Sequence, residues 1–489
     1  MKERDPQGKY DFPDKRKNLN QLPDRRNPRI VRPQETALNT MMNQPATRRD
    51  FLKKTAAAAA GAHAVSAPSI LAEKAPSSKL GIAVIGAGGM GSGNPRIAAG
   101  ERFVAMCDID DKRLGQAAKS IRDKVPNPKI YHDYRKMIEE CHKDIDMVLI
   151  ATPDHHHAPA AIRAIDLGKA VFCQKPLAHN IAECYALAKA AEEKKVLTQM
   201  GNQGHFGESI RQVCEYIWAG AIGKVTEVHA LLGRNFGGSG GQPEGKPAPA
   251  HIHWDEWLGP APMRGYHDGL HPFSWRSWRQ FGTGTVGDMA CHNLDTLFWA
   301  LRLAEAPHFS IECLNTKGGS DERYPQDNVV RWEFGARGDL PPVKVHCYDH
   351  KGLMPPVMLE AQKQYNIQFN EHTLFVGDKG MITISGTSGR WQFLPEERVR
   401  DIPVPAKTLP RAHGGPITDL IHACKNGTMP CSDFPGSAGP LSAFAATGHL
   451  AMFAGVGEKL HWDVKKMRCT NNEGINRLVG REYRPGWEV

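Results

Sequence analysis

Residues 80–91 read Leu-Gly-Ile-Ala-Val-Ile-Gly-Ala-Gly-Gly-Met-Gly, a short apolar run that passes directly into a glycine-rich turn. Further short apolar runs follow as far as residue 200, and stretches of helical periodicity separate them. The predicted strands are Leu80 to Ile85, Arg102 to Cys107, Asp146 to Ala151, Ala170 to Cys173 and Val196 to Met200, and the predicted helices are Lys112 to Arg122, Pro159 to Leu167 and Ile181 to Lys194. This alternation predicts an α/β fold with a doubly wound parallel sheet.

The glycine-rich turn is typical of a dinucleotide site. Glycine lets the chain turn tightly and lets its backbone approach a pyrophosphate near the start of a helix. The residues predicted to contact the dinucleotide here are Gly86, Gly88, Gly89, Met90 and Gly91. Pro95 cannot lie inside a helix that starts at Gly89, so we expect Asn94 to cap a helix that begins at Pro95.

Asp108 indicates which dinucleotide binds. It ends the next predicted strand, 22 residues after Gly86, where a carboxylate can accept hydrogen bonds from the adenine-ribose hydroxyls. The same carboxylate would repel a 2′-phosphate, and the following residues Ile109 and Asp110 supply no cation. The sequence therefore predicts NAD as the cofactor rather than NADP.

A second pattern begins after residue 200. Longer strands are predicted at Val225 to Leu232, Val329 to Phe334 and Val343 to Tyr348, with a hairpin from Leu374 to Ile384, and helices are predicted from Pro416 to Lys425 and from Ser437 to Leu460. These elements predict a second, α+β domain built on a large, open, mainly antiparallel sheet. The stretch from Gly233 to Gly287, rich in glycine, proline, tryptophan and histidine, is too long for a simple linker, so we expect it to cover a site.

The positive charge is concentrated near the beginning of the chain. Residues 1–54 contain 14 Lys or Arg against 7 Asp or Glu, which accounts for +7 of the net charge of +9. The remaining 435 residues are nearly neutral at +2, so nucleic acid is not an expected partner. The eleven cysteines are odd in number and contain no Cys-x-x-Cys pair, so no disulfide framework is predicted.

Residues 47–72 read as a twin-arginine signal peptide. Thr47-Arg-Arg-Asp-Phe-Leu-Lys-Lys54 precedes a weakly apolar run of about 11 residues and a segment of small residues. A run of that length is far short of the roughly 20 residues that a stable membrane anchor needs. The sequence therefore predicts export by the twin-arginine machinery and a periplasmic location, and the alternative is a disordered basic tail with a chance Arg-Arg pair.

Two further motifs resemble those of the Gfo/Idh/MocA family of sugar and polyol oxidoreductases. They are Thr152-Pro-Asp-His-His-His157 after the fourth main strand and Gln174-Lys-Pro176 after the next one, where the family has Glu-Lys-Pro. The resemblance covers roughly residues 80–487 and implies that Thr152, Pro153, His157, Gln174 and Lys175 contact the cofactor. It also implies that Lys175 reaches the substrate. Gln174 removes the anion that the family places beside this lysine, which weakens the case for a proton role of Lys175.

The stretch Gly284-Thr-Val-Gly-Asp-Met-Ala-Cys-His-Asn-Leu-Asp295 completes the resemblance. On a helix, the spacing of Asp288 and His292 puts a carboxylate and an imidazole on one face. The resemblance implies that His292 moves the substrate hydroxyl proton, for which an ordinary histidine pKa near working pH is suited. Asp288 would orient His292 or bind substrate, and Asp295 is interpreted as a cap or packing partner.

The remaining candidates are substrate contacts. Gly201-Asn-Gln-Gly-His205 follows the last strand of the first domain, which makes Asn202, Gln203 and His205 candidate cleft residues. Trp275 and Arg276 lie in an aromatic cluster that suits stacking on sugar faces. Three consecutive histidines, His155 to His157, point in different directions, so we predict no metal site.

Together these features predict four segments and one main activity. The segments are a disordered leader (1–46), the export signal with its linker (47–78), an NAD-binding Rossmann domain (79–200) and a substrate domain with the C-terminal helices (201–489). The predicted activity is NAD-dependent oxidation of a secondary hydroxyl on a sugar, polyol or glycoside, in a homo-oligomer. The alternatives are an NAD-dependent glycosidase or lyase with a recycled cofactor and a non-catalytic sugar-binding protein.

Overall fold

The computed structural model describes residues 78–241, 243–387 and 389–489. The predicted leader and the twin-arginine segment therefore lie outside the described residues and stay predictions. Within the described ranges, no helix is both long enough and apolar enough to cross a membrane.

The first sheet is entirely parallel. Its strands are β1 (Gly81–Ile85), β2 (Arg102–Cys107), β3 (Ile130–Tyr131), β4 (Met147–Ile150), β5 (Ala170–Cys173) and β6 (Thr198–Met200). Its helices are α1 (Asn94–Gly100), α2 (Asp111–Ile121), α3 (Tyr134–Cys141), α4 (His157–Asp166) and α5 (Ile181–Lys194). The spatial order β3-β2-β1-β4-β5-β6 is that of a dinucleotide-binding Rossmann sheet. The predicted doubly wound sheet is confirmed.

Local sequence explains these elements. All five residues of β1 are buried and apolar or glycine, as expected for a strand whose two faces are both covered. Three helices begin where a polar side chain accepts backbone N–H groups of the first turn. These caps are Asp110 for α2, Asp133 for α3 and Asn180 for α5.

The glycine-rich turn is packed too closely for side chains at two positions. Gly86 has a φ of +83°, and a Cβ there would overlap the backbone oxygen of Ala151. A Cβ at Gly91 would overlap the backbone oxygen of Gly86. Helix α1 begins only after the turn, as Pro95 required, but its N-cap is Gly93 and not the predicted Asn94.

The second sheet has nine strands. They are β7 (Val225–Leu231), β8 (His308–Lys317), β9 (Gln326–Phe334), β10 (Val343–Tyr348), β11 (His372–Gly377), β12 (Gly380–Ser385), β13 (Trp391–Leu394), β14 (Lys459–Asp463) and β15 (Arg468–Cys469). Their order is β13-β12-β11-β7-β10-β9-β8-β14-β15. β7 and β10 pair in parallel and the other neighbours pair antiparallel, so the predicted mainly antiparallel sheet is confirmed.

The remaining helices come after β6 in the chain, before or between the strands of the second sheet. They are α6 (Glu208–Trp218), α7 (Trp254–Leu258), α8 (Gly284–Asn293), α9 (Asp295–Ala300), α10 (Pro356–Tyr365), α11 (Pro416–Asn426) and α12 (Gly439–Ala454). Helix α12 packs on α5 beside the first sheet and on α8 and β8 of the second. The predicted helix from Ser437 to Leu460 was too long, because Gly455 has a φ of +116° after Ala454 and Leu460 lies in β14.

Gly91→Ala tests the close packing of the turn. We expect this variant to lose NADH affinity and thermal stability, because the new Cβ would force the turn away from Gly86. The matched control is Gly93→Ala, where a Cβ meets nothing within 4 Å and φ is −83°. Fluorescence titration with NADH and thermal unfolding measure both effects, and equal behaviour of the two variants would contradict the proposed constraint.

Candidate active site

One cavity of about 590 Å³ runs from the glycine-rich turn to helix α8. This volume is within the usual range of small-molecule sites, which is about 300–1,000 Å³. Predicted site residues that line it are Gly86, Gly88, Gly89, Met90, Asp108, Thr152, Pro153, Gln174, Lys175, Gln203, Trp275, Arg276, Asp288 and His292. The fold therefore brings residues from most of the predicted motifs to one place.

The nucleotide end of the cavity is organised around Asp108. Its carboxylate accepts hydrogen bonds from the backbone N–H groups of Ala87, at 2.8 Å, and Asp110, at 3.1 Å. Burial raises the pKa of Asp108, although these hydrogen bonds and the Arg113 charge oppose the rise. Gly91 does not line the cavity, because it packs beneath the turn against Gly86.

His157 differs from its predicted role beside the cofactor. It is buried away from the cavity, with Nδ1 at 2.7 Å from the carbonyl oxygen of Pro176 and Nε2 at 3.0 Å from that of Thr152. Its ring therefore joins the loops that follow β4 and β5. The two preceding histidines are also buried, and both contact the carbonyl oxygen of Trp257.

Lys175 lies in a buried charge cluster with Asp288 and Arg276. Its Nζ is 3.1 Å from Asp288 Oδ1, and Arg276 Nε is 3.2 Å from the same oxygen. Burial raises the pKa of Asp288, but the two cations oppose burial and the net shift is downward. Gln174 provides no negative charge beside Lys175. Asp288, which is 113 residues further along the chain than Lys175, supplies that charge instead.

His292 follows Asp288 by one helical turn and lines the cavity. Burial, reinforced by the Lys175 charge, lowers the pKa of His292 to about 3. The expected pKa near working pH was therefore wrong, and the imidazole is neutral. Asp288 Oδ1 binds Lys175 and Arg276, so the structure does not show the predicted orienting bond to His292.

Two of the predicted cleft residues have structural partners instead. Asn202 Nδ2 donates to Asp295 Oδ2 at 2.9 Å, and His205 Nδ1 lies 2.9 Å from Asp295 Oδ1. Asn202, His205 and Asp295 are all buried and none lines the cavity, whereas their neighbour Gln203 does. Asp295 is a packing partner, as interpreted from the sequence.

The aromatic cluster presents mainly one ring to solvent. Trp275 lines the cavity but is only 5% exposed, and its Nε1 donates to the carbonyl oxygen of Pro272. Phe273 is 56% exposed at the same cavity. The Arg276 guanidinium lies 4.3 Å from the centres of both rings, so Phe273 and Arg276 form the accessible apolar and polar surfaces.

Comparison with known proteins places two segments in one family. Residues 80–202 match the Gfo/Idh/MocA model described as an oxidoreductase family with an NAD-binding Rossmann fold, and residues 234–321 match the model of its C-terminal α/β domain. These two segments are therefore similar to the Gfo/Idh/MocA family. The prediction of NAD is confirmed by the first match.

Curated relatives align over about a third of this chain. Inositol 2-dehydrogenase of Salmonella typhimurium is 32% identical over 161 residues, 32% of this chain and 46% of that protein. Levoglucosan dehydrogenase of Pseudarthrobacter phenanthrenivorans is 29% identical over 164 residues, 33% of this chain and 34% of that protein. A glycosyl hydrolase family 109 protein of Shewanella pealeana is 29% identical over 202 residues, 36% of this chain and 44% of that protein. The chain thus matches less than half the length of each of these relatives.

Solved structures extend the likeness in fold to both sheets. The aldose-aldose oxidoreductase from Caulobacter crescentus complexed with glycerol superposes with a TM-score of 0.51 at 18% identity, over 78% of this chain and 99% of that one. The WlbA dehydrogenase from Bordetella pertussis, in complex with NADH and UDP-GlcNAcA, gives 0.52 at 17% identity, over 78% and 98%. At these identities the likeness concerns the fold.

Asp154 is a functional candidate that sequence reasoning did not single out, although it stands inside the quoted Gfo/Idh/MocA motif. It lines the cavity, and Thr283 Oγ1 donates to its Oδ2 at 2.7 Å. Burial, reinforced by the negative charge of Asp288, raises the pKa of Asp154 to about 7. The sequence could not reveal the raised pKa of Asp154, because Asp288 lies on a distant helix and burial depends on the folded structure.

Arg113 and Trp487 are also cavity residues that the Gfo/Idh/MocA motifs did not indicate. Arg113 lies in the first turn of α2 beside Gly88, where a Cβ would overlap its side chain. Trp487 comes from the last residues of the chain, and the Arg135 guanidinium stacks over its ring at 3.7 Å. A cation shortly after Asp108 was a visible signal for Arg113, whereas nothing local indicated Trp487.

Asp154→Asn tests the raised carboxyl pKa through stability. Because the pKa of Asp154 is raised from 3.8 to about 7, the folded state binds this proton more tightly than the unfolded state does. The resulting stabilisation of the folded state is complete below about pH 4 and is lost as pH rises through 7. Relative to the wild type, Asp154→Asn should therefore gain unfolding free energy as pH rises from 4 to 8. Urea unfolding across this range measures the difference.

The control for this measurement is Asp339→Asn, because the Asp339 side chain is 83% exposed. This variant measures how replacing an exposed carboxylate by an amide changes the unfolding free energy at each pH. If the unfolding free energy of Asp154→Asn differed from that of the wild type by the same amount at every pH, the raised pKa of Asp154 would be wrong.

Proposed function

We propose that this protein is an NAD-dependent oxidoreductase that acts on a secondary hydroxyl of a sugar, polyol or glycoside. The observation that carries the proposal is the single cavity that contains the glycine-rich turn, Asp108, Lys175 and His292. A dinucleotide site and a proton-transfer group thus share one enclosed space, which hydride transfer from a carbinol requires.

The nucleotide end fits NAD. At Gly86 the neighbouring backbone leaves no room for a side chain, and at Gly88 the Arg113 side chain fills that space. The half-buried carboxylate of Asp108 accepts a hydrogen bond from Ala87 N–H within the turn. These residues would hold the pyrophosphate and the adenine ribose. When bound, NAD supplies a hydride acceptor at nicotinamide C4.

His292 is suited to accept the substrate proton. Its imidazole is neutral and lines the cavity, so it can take up the proton of a bound hydroxyl, but its lowered pKa makes it a weaker base than an ordinary histidine. As the C–H bond breaks and its electron pair leaves as hydride, the O–H electrons form the carbonyl and the proton passes to the imidazole. The products are a ketone, NADH and a proton.

Lys175 and Arg276 supply positive charge at the same place. Lys175 Nζ is held by the side chain and the backbone carbonyl of Asp288, both at 3.1 Å, and its remaining N–H can donate to the substrate oxygen. Fixed donors of this kind stabilise oxygen charge better than water does, because they need no reorganisation. Arg276 and Phe273 would contact the hydroxyls and the apolar face of a sugar ring.

The Gfo/Idh/MocA relatives support this substrate class. The names inositol 2-dehydrogenase and levoglucosan dehydrogenase describe oxidation of a polyol and of a sugar derivative. Because the alignments cover less than half of those proteins, the substrate proposal also depends on the cavity and its residues.

A second candidate is a glycosidase or lyase that recycles its cofactor. The likeness to a glycosyl hydrolase family 109 protein favours it, and so does Asp154, a carboxyl that carries a proton near neutral pH in the same cavity. When bound, NAD would oxidise one carbon and so acidify a neighbouring C–H. That C–H would lose its proton to water, its electron pair would form a C=C bond as the glycosidic C–O bond breaks, and Asp154 would protonate the departing oxygen. Addition of water and return of the hydride complete a cycle without net redox change.

We further propose that residues 47–72 direct export to the periplasm through the twin-arginine machinery. Free NAD is scarce outside the cytoplasm, whereas twin-arginine export carries folded proteins with their cofactors. This location would favour a tightly held cofactor and hence the recycling cycle.

His292→Ala tests the proton-transfer role. We expect kcat/KM to fall by about 10² to 10⁴ with NADH affinity retained, because a positioned base contributes that factor to the chemical step alone. The control is His308→Ala, since the His308 side chain is 67% exposed on β8. Full activity of His292→Ala towards every substrate that the wild type oxidises would overturn the assignment.

Protein isolated from the periplasmic fraction distinguishes the two candidate reactions. It is incubated with polyols, sugars and aryl glycosides while NADH absorbance and released aglycone are followed, and bound NAD is identified by native mass spectrometry. Stoichiometric NADH without aglycone supports the oxidoreductase. Aglycone release without accumulation of NADH supports the recycling enzyme and contradicts our first proposal. Sugar binding without any turnover would contradict both in favour of a non-catalytic binding protein, and absence from the periplasm would contradict the export proposal.

A further inference from the structure

Two adjacent strands of the second sheet bring three potential metal ligands together, away from the active-site cavity. β7 and β10 pair in parallel, with His229 opposite His346 and Glu227 two residues before His229 on the same face. Neither histidine lines the cavity described above. Glu227 and His346 are more than 100 residues apart in the sequence, so no local motif indicates this group.

The distances between the ligand atoms are close to those of a zinc site. Glu227 Oε1 lies 3.6 Å from His229 Nε2 and 3.5 Å from His346 Nδ1, and all three atoms lie within 4.8 Å of one another. Tetrahedral ligands at about 2.1 Å from an ion are about 3.4 Å apart. The three side chains thus need only small adjustments to bind one ion.

The two ring nitrogens have no other partner. His229 Nε2 and His346 Nδ1 are buried and make no hydrogen bond within the described residues. Buried polar atoms are nearly always satisfied, so two such atoms aimed at one carboxylate oxygen require an explanation. A cation between them would satisfy both nitrogens and the carboxylate at once.

Tyr348 favours the tautomer that a metal requires. Its hydroxyl lies 3.0 Å from His229 Nδ1, so an N–H at Nδ1 can donate to it and leave the lone pair on Nε2. Metal-binding histidines commonly donate their second N–H in this way.

We propose that Glu227, His229 and His346 bind one Zn²⁺ or a similar divalent transition-metal ion, with water completing the coordination. Two imidazoles and one carboxylate suit this class, whereas Mg²⁺ and Ca²⁺ favour all-oxygen sites. The Glu227 side chain is 44% exposed, which provides a path for the ion. The ion would link β7 to β10 and stabilise this parallel pair.

Two positively charged side chains, Arg331 and Lys344, lie on strands next to the site. Arg331 is bound by Glu312 at 2.6 Å and by Glu333 at 3.1 Å. Lys344, opposite Glu227 in the register, is exposed to solvent, where its charge is screened.

The experiment uses tag-free full chain treated with chelator and then titrated with ZnCl₂. Calorimetry should show one equivalent bound, and thermal unfolding should shift upward with increasing Zn²⁺, because an ion that binds only the folded state stabilises it. Co²⁺ should give the visible absorption of a low-symmetry, four-coordinate site. His346→Ala should weaken binding by more than the about 10- to 100-fold that loss of a supporting hydrogen bond costs.

Matched variants locate the ion. His308→Ala changes an exposed histidine on the same sheet and should leave Zn²⁺ affinity unchanged. His253→Ala disrupts a second group of possible ligands, formed with Asp111 and His132, and should also leave it unchanged. Glu227→Gln alters a half-exposed side chain and should weaken binding without affecting folding, which circular dichroism and NADH binding verify.

Three outcomes would overturn the proposal. They are the absence of stoichiometric Zn²⁺ binding by the wild type, binding that survives Glu227→Gln and His346→Ala unchanged, and binding that is lost only in His253→Ala. If His346→Ala fails to fold, the result with Glu227→Gln decides. None of these readouts depends on the proposed oxidoreductase activity.

Discussion

Lys175 and Asp288 form the buried ion pair on which the candidate active site depends. Lys175 follows β5 of the parallel sheet and Asp288 lies on α8, so the pair joins the nucleotide-binding half of the cavity to the helix that carries His292. Both side chains are nearly buried, at 12% and 6% exposed. Removing one partner of such a pair leaves an unpaired charge, which costs about 3–5 kcal/mol. The position of helix α8 is thereby tied to the loop that follows β5.

The same cluster sets the protonation states around it. The positive charge of Lys175 adds to the effect of burial in keeping His292 neutral, and the negative charge of Asp288 adds to burial in keeping a proton on Asp154. One enclosed site therefore holds a group that can accept a proton and a group that can donate one at the same pH. Groups whose pKa values are pushed apart in this way are typical of acid–base catalysis. This pairing is why two reactions, oxidation and redox-assisted bond cleavage, are both compatible with the cavity.

The local parts of the fold could be predicted because they depend on neighbouring residues. The apolar runs around β1, β4 and β5 and the turn at Gly86 predicted the parallel sheet and its cofactor correctly. Long-range contacts could not be predicted in the same way. Asn202 and His205 follow β6 and read as cleft residues, but Asp295 binds both of them, some 90 residues away. His157, implied to contact the cofactor, lies between the carbonyl groups of two loops and does not line the cavity.

The sequence by itself determined the sheet, the glycine-rich turn and the chemical identity of Lys175, Asp288 and His292, because periodicity and backbone crowding act over a few residues. The tertiary structure alone decided which groups share a cavity and what charge they carry. Burial and fields from distant residues set a pKa, and neither is visible in a local pattern. For this reason His292 was expected to titrate near neutrality and instead has a pKa of about 3. The Glu227, His229 and His346 cluster likewise exists only because the register of β7 and β10 places it on one face.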